Sequence, residues 1–190
     1  MLKLWGRVLL ADNTVFDDEK SKATSWKTVL GVAIYTLLQV ILLEAFYHRK
    51  VVLSSVEVAV VVTVVPLSFY MLNGVIYITA RVFGGKGDFV EQAYLHSLVL
   101  VPIGMLNLVT VVLSAFVFPQ ETVVGLIVTI MLAIYMLVLQ VRIVKVVHRY
   151  SFAQSVLAVF SPFVMISPCL CVALADWSLS GWLERLLFVR

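Results

Sequence analysis

The sequence predicts an all-α, polytopic membrane bundle of five transmembrane helices. Two observations of composition and one of pattern predict it. First, 62% of the 190 residues are hydrophobic and 13% are charged, where soluble chains run at about half and about a quarter. Second, the mean hydropathy is +1.06, more apolar surface than a soluble fold of this length can hide. Third, the apolar runs are long and continuous. Only helices and closed barrels satisfy their backbone in lipid, and barrels read as short alternating segments.

A span needs about 20 apolar residues to cross a ~30 Å core. Five stretches meet that length: Trp26 to Phe46, Val58 to Val82, Gln92 to Phe118, Val123 to Val141 continuing as helix to Val147, and Phe152 to Ala175. The polar breaks are YHRKVVLSSVE, FGGKGD, PQET and VHRYS. The shortest, Pro119 to Thr122, makes the third and fourth spans antiparallel neighbours. Pro66, Pro102, Pro162 and Pro168 fall inside spans, and each removes a backbone donor and can kink its helix. Ser151 and Ser155 give one small-xxx-small spacing suited to close helix packing.

Both ends read as interfacial. Residues 1–25 form an amphipathic cytoplasmic entry segment, with Leu2, Trp5 and Leu9 on one helical face and Lys3 and Arg7 elsewhere. Residues 26–175 hold the five spans. In residues 176–190, Trp182, Leu183, Leu186 and Leu187 gather opposite Glu184 and Arg185, as in a helix lying among headgroups. The apolar run after Lys3 and Arg7 is too short for a cleavable signal, and Asp12, Asp17, Asp18 and Glu19 follow it.

Basic residues set the orientation. With the N-terminus inside, ten of the 14 face the cytoplasm: Lys3, Arg7, Lys20, Lys22, Lys27, Arg81, Lys86, Arg142, Lys145 and Arg149. Arg49, Lys50, Arg185 and Arg190 remain outside. The expected topology is therefore N-terminus cytoplasmic and C-terminus outside.

The FGGKGDF stretch tests whether a glycine-rich turn beside a lysine holds phosphate. A phosphate loop needs two glycines separated by four residues, then lysine and a hydroxyl. Here Asp88 follows, and a membrane helix precedes. In the turn reading Gly84, Gly85 and Gly87 can adopt positive φ, Asp88 can cap the next helix, and Glu91 completes a capping box. Arg81, Lys86, Arg142, Lys145 and Arg149 form an expected contact rim at the cytoplasmic ends of the bundle, able to hold anionic headgroups or an acidic partner segment.

The remaining chemistry-bearing residues point away from catalysis. His96 and His148 lie near the inner face with Glu91, but no HExxH or similar metal pairing exists, and His48 is outside. Cys169 and Cys171 point about 200° apart at helical pitch and read as buried apolar residues. No acid sits in the middle of a span. The mid-membrane polar residues are the neutral Gln39, Thr63, Ser68, Asn73, Asn107, Thr110, Thr129 and Ser161, which can pair between helices. There is no GxSxG, and Ser155 and His148 flank a turn with no third partner. No catalytic residue, metal or cofactor is expected, and no basic block suits nucleic acid.

The stretch ARVFGGKGDFVEQAYLHSLVLVPIGMLN resembles the second-to-third helix connection of the Ypt-interacting-protein family, the Yip domain. LWGRVLLADNTVFDDEKSKATSWKTVL resembles that family's entry segment, and RIVKVVHRYSFAQSVLAV its connection between the fourth and fifth helices. Two departures stand out. No proline occurs near Asp12 or Asn13, and the aspartate-leucine-aromatic-glycine-proline motif of eukaryotic members is absent. About 25 residues precede the first span, so the resemblance is to a short prokaryotic-type member in a cytoplasmic membrane. The expected function, fitting this plan together with the amphipathic ends and the missing ionisable core, is a non-enzymatic scaffold or accessory subunit with membrane lipids and a membrane or cytoplasmic protein as partners. The alternative is a small transporter or channel. Against it, five spans do not divide into equal repeats, and no midplane charge marks a route.

Overall fold

The computed structural model describes residues 2–10, 13–47, 55–117, 122–162 and 164. Within these it is helical and holds no strand: α1 (Leu2–Leu9), α2 (Asn13–Lys20), α3 (Ser25–Tyr47), α4 (Ser55–Val82), α5 (Phe89–Val117), α6 (Thr122–His148) and α7 (Phe152–Pro162). Four helices are long and apolar enough to cross a membrane, within α3, α4, α5 and α6, as expected of a multi-pass membrane protein. Only the start of the fifth expected span, α7, is described. The rest of it lies outside the described residues, together with Pro168, Cys169, Cys171, His48, the PQE of the PQET break and the 176–190 tail.

The helix ends follow from short-range chemistry. Asp88 caps α5: its Oδ1 accepts from the Val90 N–H at 3.1 Å, and its carbonyl accepts from Gln92 N–H. Ser151 caps α7 reciprocally with Gln154: the Ser151 N–H donates to Gln154 Oε1 at 3.0 Å, and the Gln154 N–H to Ser151 Oγ at 3.4 Å. That is a capping box, so Ser151 is occupied as a cap. α4 and α6 stop in the same way. Gly84, at φ 86°, turns the chain left-handed, and Gly85 N–H bonds back to Ala80 O while Gly84 N–H bonds to Arg81 O. Arg149, at φ 57°, does the same for α6, with Tyr150 N–H on Lys145 O. Both are Schellman ends, one built on glycine and one on arginine. α4 and α5 run through Pro66 and Pro102 without ending.

α5 is the central helix: 61% of its span is buried against protein, compared with 17% for α3 and for α4. α3 lies parallel beside it, with Gly31 against Ser97 and Gly104 against the Tyr35 ring. α4 runs antiparallel, setting Tyr77 against Phe89 and Asn73 against His96. The outward faces of α3, α4 and α6 carry exposed Leu37, Leu67, Met71 and Met131, the apolar exterior that a lipid environment accepts.

α1 and α2 belong to the core. Val8 and Phe16 are fully buried among Tyr94, Leu95, Leu139 and Ile143. The Tyr135 hydroxyl donates to the Leu9 carbonyl, fixing the end of α1 on α6. The packed face of α1 centres on Val8 with Leu4 and Leu9 beside it. Trp5, expected on an interfacial face with Leu2 and Leu9, lines a groove with Leu4, Trp26 and Tyr94.

Candidate functional site

The α4–α5 loop and the α6–α7 turn meet at one end of the bundle. The three loop glycines serve two different needs there. Only Gly84 has positive φ, and nothing lies within 4 Å of where its Cβ would stand. Gly85 and Gly87 are small because other chain segments touch them. A Cβ on Gly85 would come within 2.8 Å of the Tyr150 hydroxyl, and one on Gly87 within 2.7 Å of the Val147 carbonyl oxygen. Of the three glycines able to take positive φ, Gly84 does so, and close approach rather than backbone freedom selects glycine at 85 and 87.

Side chains lock this junction. The Tyr150 hydroxyl donates to the Ala80 carbonyl, and its ring stacks on His148 at 5.7 Å. Arg81 donates from Nη1 to Gly85 O at 3.1 Å and lies 5.9 Å from the Tyr77 ring centroid. Lys20, from α2, places Nζ 3.1 Å from Val147 O and 3.3 Å from Glu91. It therefore satisfies a terminal carbonyl of α6 and compensates the negative end of that helix. Glu91, expected to close the α5 capping box, forms this cross-helix ion pair. Beside it, Glu19 accepts from Lys22 at 2.8 Å and from the Tyr94 hydroxyl at 3.0 Å. Burial raises the Glu19 carboxyl, but these two hydrogen bonds outweigh it and hold it below its ordinary value.

From the loop a hydrogen-bonded chain enters the bundle. Gly87 N–H donates to His148 Nδ1 at 3.3 Å, so that nitrogen is unprotonated. His148 Nε2 carries the proton and donates to Gln92 Oε1 at 3.0 Å. Gln92 Nε2 donates to Asn73 O at 3.0 Å. Asn73 Nδ2 donates to Phe69 O at 2.9 Å, which leaves its Oδ1 to accept from His96 Nδ1 at 2.9 Å. Burial disfavours the charged ring, and neutral His96 with its proton on Nδ1 has Nε2 as an acceptor. All four side chains are buried, Gln92 and Asn73 completely. His96 and His148 are linked by amides, and no metal-holding group of three His, Cys, Asp or Glu forms among the described residues.

Beyond His96 the chain opens on a cavity of about 430 Å³ between α3, α4, α5, α6 and α7. Gln140 and Asn107 line it. Among the described residues, neither amide atom of Gln140 has a partner, nor has Asn107 Oδ1. Of the polar residues expected to pair between helices, Asn73 does so. Thr63, Ser68 and Thr110 bond carbonyls of their own helices. Gln92 and Gln140 went unnoticed in the sequence. A glutamine in an apolar span was the available signal, but both stand near helix ends, where a polar residue attracts no attention.

Of the expected rim, Arg81, Lys86, Lys145 and Arg149 are exposed and Arg142 is half-buried. Arg81 is bonded into the loop it was expected to flank. Comparison of the chain with protein-family models, with curated proteins and with solved structures finds no match.

Proposed function

We propose that this chain is a non-enzymatic multi-pass membrane protein that works through contacts on its loop face, as a scaffold or accessory subunit. In this reading the face is cytoplasmic, a fifth span completes the bundle, the C-terminus is outside, and the prolines bend their helices. The Yip-like plan of the sequence and a prokaryotic cytoplasmic membrane are part of the same proposal. One observation supports it above the others: two helix ends, a glycine loop and the entry segment are cross-bonded into one surface. A pre-ordered surface loses little conformational freedom when a partner binds. Lys86, Lys145 and Arg149 stand exposed at that surface, and each basic residue near an anionic leaflet contributes about 1 kcal/mol.

The test is co-purification from native membranes with Arg142→Gln combined with Lys145→Gln. Reporters fused at Lys86 and at the C-terminus should lie on opposite sides and stay there, since the N-terminal charges remain. Loss of a co-purifying protein or anionic lipid supports the contact reading. Unchanged co-purification with unchanged orientation reduces the rim to a topology signal. Reporters on the same side would refute the five-span arrangement. A second reading, passage of an uncharged solute, draws on the cavity, and flux into proteoliposomes decides it.

A further inference from the structure

We propose that the cavity between α3, α4, α5, α6 and α7 is a binding site for an uncharged, hydroxyl-bearing, single-chain amphiphile drawn from the bilayer. This goes beyond the contact reading and does not rest on it. The cavity volume of about 430 Å³ falls within the range of small-molecule sites, about 300–1,000 Å³. Among the described residues its lining contains no Asp, Glu, Lys or Arg, and burial of His96 away from water disfavours its charged form. A charged head would meet no counter-ion there and would lose its hydration.

The polar groups choose the head chemistry. Gln140 is 5% exposed, and both its amide atoms lack partners, as does Asn107 Oδ1. Among the described residues, the buried unpartnered atoms lining the site are two acceptors, Gln140 Oε1 and Asn107 Oδ1, and one donor, Gln140 Nε2, with Gln39 and Tyr35 as further polar lining. A ligand whose oxygen only accepts, such as a ketone, can meet the donor alone. A hydroxyl meets both kinds.

The walls choose the body. Leu72, Ile103, Leu132, Met136, Leu137 and Val159 give the cavity an aliphatic surface. At ~30 Å³ each, on the order of fourteen waters would fill it, and most would face these side chains without a hydrogen bond. His96 and Asn107 are 11 residues apart on α5, about 16 Å by helical rise. The volume spread over that length gives a bore of roughly 27 Å², near the width of one hydrocarbon chain. The site lies among membrane-spanning helices, so such a molecule arrives from lipid.

The test uses the full chain in lipid nanodiscs and a dodecanol carrying a diazirine in its chain. Illumination should label α6 between Leu132 and Leu137, mapped by peptide mass spectrometry. Excess 1-dodecanol should compete at least tenfold better than dodecane or dodecanoate. Gln140→Leu should lower labelling at least tenfold. Ala133→Phe, which adds a ring at the cavity wall and removes no polar group, should lower it at least tenfold while the protein stays monodisperse. Equal competition by dodecane, or full labelling of both variants, would overturn the proposal and leave a lipid-filled or water-filled gap.

Discussion

Replacing Gly87 by alanine should damage the fold more than replacing Gly84, although only Gly84 has positive φ. At Gly84 the added methyl meets nothing within 4 Å, so the cost is that of a left-handed L-residue, about 1–2 kcal/mol. At Gly87 the methyl falls 2.7 Å from Val147 O and 2.9 Å from Val147 C. Both are backbone atoms of a helix end and cannot rotate away. Ordinary contact requires the loop to retreat by ~0.7 Å, which carries Gly87 N–H out of reach of His148 Nδ1, now at 3.3 Å. Overpacking costs about 1–3 kcal/mol, and the stranded buried donor another 1–3, roughly. Gly87→Ala should therefore cost about 4 kcal/mol. Unfolding of purified variants in mixed micelles by denaturing detergent measures the order. Gly84→Asn should lie near wild type, since asparagine tolerates this conformation, and Lys86→Ala should be neutral. If Gly84→Ala proves as harmful as Gly87→Ala, the loop does not sit against α6 as described, and the close-approach argument fails.

Two further outcomes follow from local chemistry. The Glu19 carboxyl is held below its ordinary value of 4.5, and Lys22 is raised above 10.5 by the same hydrogen bond. Glu19 therefore stabilises the attachment of α2 above about pH 4.5, and this is lost as pH falls through the lower folded value. Lys22 contributes below about pH 10.5, and loses its contribution as pH rises through the raised folded value. Amide exchange of α2 across that range should show the acid-side loss, and Glu19→Gln should remove it. Ser151→Ala should cost about 1 kcal/mol through loss of the α7 cap, seen as faster exchange at Ala153 to Ser155 with α6 unchanged. Equal acceleration in α6 would mean that the two helices open together and the cap is not the local cause.

Helix identity was legible because spans and caps are local. The third span, expected over Gln92 to Phe118, is α5 over Phe89–Val117, and the second, expected over Val58 to Val82, is α4 over Ser55–Val82. Gly84 and Asp88 mark those ends through bonds to residues within five positions. What stayed hidden depends on contacts far along the chain. Lys20 reaches Val147 across 127 positions, and Gly87 reaches His148 across 61. Leu2, Trp5 and Leu9 read as a membrane-surface face, and buried Val8 and Phe16 carry no such mark, because a short amphipathic helix gives the same pattern whether lipid or protein receives it. Gln140 carries no periodic signal, and only the cavity beside it gives it meaning.

The convergence of helix ends also changes how the basic bias should be read. α4 and α6 both bring their C-terminal, negative dipole ends to the loop face, each with carbonyls that lack a partner inside the helix. Arg81 donates to Gly85 O, and Lys20 to Val147 O. These two charges are used by the fold, whatever they also do for topology. Lys86, Lys145 and Arg149 are exposed, and Lys145 still stands in the last turn of α6, where a cation favours the helix end. The five expected rim residues are therefore unequal. Removing Arg81 loosens the loop and would mimic loss of a partner without touching one. Arg149 also holds the left-handed turn that ends α6, so replacing it changes backbone as well as charge. Lys86 is the position at which charge can be removed with the least structural consequence, and a contact role for this face should be sought there first.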